Sequence, residues 1–236
     1  MSLQKQILIT IALIVLVLLG FEMTNIDVWV QNHFYDAGAV AKAPLDRWLI
    51  SKNDPFTEHW LHEFPRDIAA YTAVALLLAF AASFFAKPLA AYRARILFLA
   101  LAIALTAFFV GGAKKYTNTF CPSQTTLYGG DMPHVTVLES YPKDFVQTRK
   151  GRCYPAGHAT AGFSFMALWF VFRNRRAKIA GLTFGIAYGW VLGTFQMLRG
   201  EHFLSHTVVS MIACWLVILL LAGAFDKATK GNWRRG

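Results

Sequence analysis

Six long apolar runs, almost free of charge, leave this chain few ways to fold. They cover residues 7–21, 68–86, 96–113, 155–172, 179–198 and 207–225, and they are stopped by Glu22, Lys87, Lys114, Arg173, Arg199 and Asp226. A membrane span takes roughly 17–25 mostly apolar residues, and each run is near that length once interfacial residues are included. Lipid offers no partner to backbone N–H and C=O groups, so a spanning run must be a helix or a strand of a closed barrel. The alternation of barrel strands is missing. The expected fold is therefore all-α, a single domain over residues 1–236 built as an integral membrane bundle of six transmembrane helices. The first run ends in Gly20-Phe21-Glu22-Met23, without a small-x-small cleavage site, and reads as an uncleaved anchor.

Charge then orients the bundle. Only 15% of residues are charged, against about 25% in soluble domains. The formal net charge of +10 comes from basic residues that flank the apolar runs. It therefore speaks of topology and anionic headgroups rather than of nucleic acid, for which a basic stripe interleaved with aromatics is missing. Lys87, Arg93 and Arg95 follow the second run, Arg173, Arg175, Arg176 and Lys178 the fourth, and Lys227, Lys230, Arg234 and Arg235 the sixth. Short loops rich in lysine and arginine stay in the cytoplasm, which puts both termini inside. Segments 24–67, 114–154 and 199–206 then face out. The first of these carries Trp29, Phe34, Tyr35, Trp48, Phe56, Trp60 and Phe64, which fit either short helices lying in the interface or a packed loop.

Three polar clusters fall on the outer face, where ionisable residues at helix mouths are expensive and so point to function. Lys114-Lys115 ends the third run and leads to Cys121-Pro122-Ser123. Arg152-Cys153-Tyr154-Pro155-Ala156-Gly157-His158 opens the fourth. Gln196-Met197-Leu198-Arg199-Gly200-Glu201-His202-Phe203-Leu204-Ser205-His206 joins the fifth to the sixth. Lysine, arginine and free backbone amides suit phosphoryl oxygens. A neutral histidine can attack phosphorus, and a second can protonate the leaving oxygen.

Taken together the clusters resemble the three signatures of the type-2 phosphatidic acid phosphatase family, which extends to vanadium haloperoxidases: Lys-x6-Arg-Pro, Pro-Ser-Gly-His and Ser-Arg-x5-His-x3-Asp. Lys114 precedes Cys121-Pro122 at the family spacing, Pro155-Ala156-Gly157-His158 resembles the second signature, and Gly200-x-His202-Phe203-Leu204-Ser205 resembles the third. The likeness is close over the motif-bearing half, residues 114–225. It departs at Cys121 for arginine, Ala156 for serine, Gln196 for arginine and His206 for the orienting aspartate.

The resemblance implies a lipid-phosphate phosphatase of a cytoplasmic membrane, the inner membrane in a bacterium, with an extracytoplasmic active site, a phosphohistidine intermediate, and no metal or cofactor. His202 is then the nucleophile, His158 the acid and base, and His206 the orienting residue. Lys114, Lys115, Arg152, Arg199 and the amides of Ala156 and Gly157 hold the phosphate, with Arg199 and Arg152 standing in for the two missing arginines. A second registration makes His206 the nucleophile and puts Ser210 at the aspartate position; His202 fits the Gly-x-His-Phe-Leu-Ser context better. Phosphatidic acid, phosphatidylglycerol phosphate, undecaprenyl pyrophosphate and lipid A phosphates all remain open as substrates, and the partners expected are such a lipid and the membrane. Alternatives are a phosphotransferase that passes the group to a second lipid, and an inactive relative acting as a carrier or binding protein.

Other residues read more plainly. His33, His59, His62 and His134 suit interfacial hydrogen bonds, and Glu201 a solvated position. His202 and His206 also have the spacing of a helical metal pair, without an evident third ligand. Cys214 reads as a packed thiol. Cys121 and Cys153 lie where a disulfide can form, though sequence alone does not pair them.

Overall fold

The computed structural model describes residues 1–234 except Asn53, and it leaves out the side chains of Leu61, His62, Pro65, Arg66 and Arg234. His62 and Arg235, named above, lie outside that description. Six helical rods make the bundle: α1 (Leu3–Glu22), α2 (Phe64–Ala82), α3 (Arg93–Thr117), α4, α5 (Arg175–Leu198) and α6 (Leu204–Thr229). The fourth rod, α4, is Gly157–Phe163 continued through a tighter turn at Ser164–Ala167 into Leu168–Val171. Short helices such as Ile26–Asn32 and Glu58–Glu63 fold the 24–67 segment over one end. Among the described residues there is no β-strand, only the isolated bridges Tyr35–Trp48 and Thr125–Met132.

Among the described residues, three segments are long and apolar enough to cross a membrane by length and composition: Leu3–Glu22, Arg93–Gln124 and Leu204–Thr229. Asp67–Ala82 is a shorter apolar helix. Helix α5 has 24 residues, but glycines at 181, 185, 189 and 193 lower its hydropathy. Those glycines buy contact. They recur every fourth residue, so they share one face; α4 lies against it at Gly181, Gly185 and Gly189, and Thr207 of α6 against Gly193. A Cβ at Gly189 would sit 2.1 Å from the Phe163 ring, and one at Gly185 would sit 2.3 Å from the backbone nitrogen of Met166. The tighter turn of α4 is therefore the stretch whose backbone rests directly on α5.

The rods alternate in direction around a core that includes Phe98, Phe163, Ile218 and Leu219. At one end Leu3 lies next to Gly223, Arg95 donates to the Trp233 carbonyl, and Trp233 donates to Asp226. Both described chain ends therefore lie there. The opposite end gathers Glu22 of α1, the C-termini of α3 and α5, and the N-termini of α4 and α6. All three polar clusters lie at this second end.

Candidate active site

Closing this end takes backbone repair, because helix termini leave N–H and C=O groups without intrahelical partners. The end of α5 is satisfied from the 24–67 segment: Gln31 Nε2 donates to Met197 O at 2.7 Å, and Ile50 N donates to Leu198 O at 3.3 Å. The start of α6 has Phe203 at its N-cap, which offers no side-chain acceptor. Asp27 supplies one from afar, with its Oδ1 accepting from Ser205 N at 2.8 Å. Helix α3 stops at Asn118, whose left-handed φ of 50° ends the helix. The Asn118 side chain then holds the outer loop by accepting from Gly151 N at 2.9 Å and exchanging bonds with Gln147.

This loop brings Cys153 to Cys121, and the two form a disulfide. Cys153 is fully buried and fixed by its N–H to Thr119 O at 2.9 Å. Its sulfur lies 3.4 Å from His202 Nδ1, and His202 Nδ1 lies 3.2 Å from His206 Nδ1. Cys153, His202 and His206 form a three-residue cluster with the spacing of metal ligands. In the bridged state the sulfur is not a thiolate.

Both imidazoles are buried. Burial, reinforced by the charges of Lys114, His206 and His158, holds the His202 imidazole well below the ordinary histidine range. A ring kept neutral at physiological pH retains a free lone pair, which is what a nucleophile needs. His158 and Lys114 are near enough to His202 for their charges to act on its ring. Lys114 also reaches the start of α4: a Cβ at Gly157 would lie 3.2 Å from its Nζ, so the ammonium is close against that glycine. His158, His202, His206, Lys114 and Gly157 thus converge.

The other expected phosphate ligands are placed differently. Ala156 N donates to His206 O at 3.2 Å, so that amide is occupied in tying α4 to α6. Lys115 and Arg152 are exposed, and Lys115 lines a groove with Phe108, Phe109 and Tyr116 on the outside of the bundle. Arg199 is buried and ion-paired with Glu58, while its Nε and Nη1 have no hydrogen-bond partner among the described residues. Glu201 is ion-paired with Lys52, which also donates to Ser123 Oγ at 2.8 Å.

Four residues of this end went unnoticed as site residues in the sequence: Asp27, Lys52, Glu58 and, read only as an interfacial histidine, His134. Asp27 and His134 line a small cavity with Tyr154, Phe203, Ser205 and His206. Burial raises the Asp27 carboxyl to about 6, against the lowering effect of its bonds from Ser205.

Such an arrangement, a neutral buried histidine beside a second histidine and a lysine at a helix start, offers a nucleophile, a proton carrier and a positive charge at one end of a helical bundle, the groups that phosphoryl transfer requires. A family model for the PAP2 superfamily matches residues 95–230, which is more than half the chain, and the protein belongs to that superfamily. Its members are generally phosphatases, which makes phosphoric-ester hydrolysis the coarse class of activity. No curated protein and no solved structure matches the chain significantly.

Proposed function

We propose that this protein is a membrane lipid-phosphate phosphatase that hydrolyses a phosphomonoester or pyrophosphate at the outer face of the membrane. The observation that carries the reading is the convergence of a neutral, buried His202 with His158 and Lys114 at the bundle end that holds all three signatures. The bundle spans the membrane with six helices. Both termini are cytoplasmic, since the loops rich in lysine and arginine lie at the end away from the site.

His202 attacks phosphorus in line. A phosphorus–nitrogen bond forms as the bond to the lipid oxygen breaks, and His158 gives that oxygen its proton. His158 then takes a proton from water, whose oxygen attacks phosphorus and returns His202 and free phosphate. Lys114 carries the phosphoryl charge throughout, which is the main demand of phosphoryl transfer. Arg199 joins it when a phosphoryl oxygen displaces Glu58. His206 orients His202 through the ring-to-ring hydrogen bond. The exposed apolar side chains of the first outer segment, among them Trp29, Phe56 and Trp60, hold that segment in the interface near the headgroup.

The test is phosphate release from a panel of lipid phosphates by the detergent-purified protein, beside His158→Ala and His202→Ala. Radiolabelled lipid phosphate should leave acid-labile label on the wild-type chain and none on His202→Ala. Release by folded His202→Ala at the wild-type rate would remove His202 as nucleophile. Transfer to an added acceptor lipid, without phosphate release, would replace hydrolysis by phosphotransfer.

A further inference from the structure

The sulfur beside the nucleophile has no part in the chemistry above. Cys153, His202 and His206 each offer a ligand atom within 4.8 Å of the other two; Cys153 Sγ lies 3.4 Å from His202 Nδ1, and His202 Nδ1 lies 3.2 Å from His206 Nδ1. Tetrahedral zinc holds imidazole nitrogen at about 2.0–2.1 Å and thiolate sulfur at about 2.3 Å, which sets neighbouring ligand atoms roughly 3.3–3.6 Å apart. The two contacts made by His202 Nδ1 are thus close to two edges of a zinc tetrahedron, and the third pair lies within 4.8 Å. What closes the site to metal is the bond from Cys153 to Cys121.

We propose that reduction of the Cys121–Cys153 bridge converts Cys153, His202 and His206 into a three-ligand site for a zinc-class divalent ion. A dithiol reductant supplies the two electrons. Its thiolate attacks the sulfur of Cys121, the more exposed partner, and Cys153 leaves as a thiolate. The second thiol of the reductant then resolves the mixed disulfide, and Cys121 ends as a thiol. Cys153 stays in place, because its backbone N–H is held by Thr119 and its side chain is buried. The ion binds the Cys153 thiolate and the two Nδ1 lone pairs, with water in the fourth position.

Occupation has a consequence for His202. A neutral imidazole bound to metal through Nδ1 carries its proton on Nε2, so it has no lone pair left with which to attack phosphorus. The loaded site is an inactive state that re-oxidation of the bridge clears. Metal capture itself is independent of the phosphatase reading; only this inhibition rests on it.

Cobalt(II) is the probe, because thiolate coordination gives a near-ultraviolet charge-transfer band and tetrahedral geometry gives strong visible bands. The purified, oxidised protein should show neither band. Protein reduced with a phosphine and then freed of it should show both at one equivalent, and so should Cys121→Ser without any reductant. Zinc should displace the cobalt. The bands should vanish in reduced Cys153→Ser, which retains Cys214 and so controls for the other thiol, and the tetrahedral bands should vanish in reduced His206→Ala. Absence of the thiolate band from both the reduced wild type and Cys121→Ser, with each eluting as a monodisperse folded species, overturns the proposal. Bands that survive Cys153→Ser place the metal elsewhere and overturn it as well. If cobalt binds as expected but loaded Cys121→Ser still releases phosphate at its metal-free rate, the site stands and the assignment of His202 as nucleophile falls.

Discussion

Nδ1 of His202 and Nδ1 of His206 face each other at 3.2 Å, so one ring donates and the other accepts while both are neutral. A carboxylate at position 206 would only accept. It would fix the tautomer of His202 and favour its charged form. His206→Asp should therefore keep hydrolysis while moving the acidic limb of kcat/KM upward, by about one pH unit or more. An unmoved limb would show that His206 does not contact the titrating nucleophile.

The wild-type limb itself should lie low. Burial, helped by Lys114, His206 and His158, depresses His202 below the ordinary histidine range. The reactive form is the unprotonated one, so activity should persist as pH falls through about 6.5, where an unperturbed histidine would already be half protonated. A pH series of phosphate release, each point checked for reversible recovery at neutral pH, measures this directly.

Stability should carry an opposite signature from Asp27. Burial raises its carboxyl from 3.8 to about 6. Between those values the folded protein holds a proton that the unfolded chain has released, so this group's contribution to stability falls as pH rises through the window. Asp27→Asn removes the decline and still presents an oxygen to Ser205 N. Relative to wild type, the variant should gain on the order of 2–3 kcal/mol between pH 4 and pH 7.5, read as the change in the difference between their unfolding midpoints in detergent. Equal differences at the two pH values would mean that Asp27 ionises freely in the fold. Because His202 titrates in both proteins, its own pH dependence cancels in that comparison.

The helical class and the gathering of three clusters at one end were legible because they depend on run length and flanking charge, which the chain displays locally. Single side chains were harder to place. Lys114 and Lys115 are neighbours on a helix that turns about 100° per residue, so one reaches Gly157 and the other lies outside the bundle. Arg152 sits between buried Gly151 and Cys153 and faces away from them. The partners of the third signature could not be read at all: Glu58 is 141 residues from Arg199, and Asp27 is 178 residues from Ser205. The glycine spacing of α5 was visible in the sequence, but its meaning as a packing face needed the neighbouring rod.

Arg199 gives a further prediction. Its guanidinium is buried and paired with the half-exposed Glu58, so a phosphoryl oxygen must compete with that carboxylate. Glu58→Gln weakens the competitor and leaves a neutral acceptor behind. Inhibition by inorganic phosphate should tighten roughly 3–10-fold, in line with a partly exposed pair worth about 1 kcal/mol. If Glu58 instead holds Arg199 in its working position, kcat should fall while the phosphate inhibition constant stays put.

The α4–α5 contact sets the position of His158, and it can be probed without touching the site. A methyl at Gly189 would meet the Phe163 ring at 2.1 Å, and Phe163 is fully buried with no room to retreat. Either the ring leaves its rotamer or the rods part, and overpacking of this kind costs about 1–3 kcal/mol. Gly189→Ala should lower the unfolding midpoint, and it should also lower kcat, because α4 carries His158 at its start and cannot shift without moving it. Pairing the change with Phe163→Leu, which removes ring atoms from the clash, should restore part of both losses. Should Gly189→Ala unfold at the wild-type temperature, the two rods would not be in the close contact described, and α4 would have more freedom to shift His158.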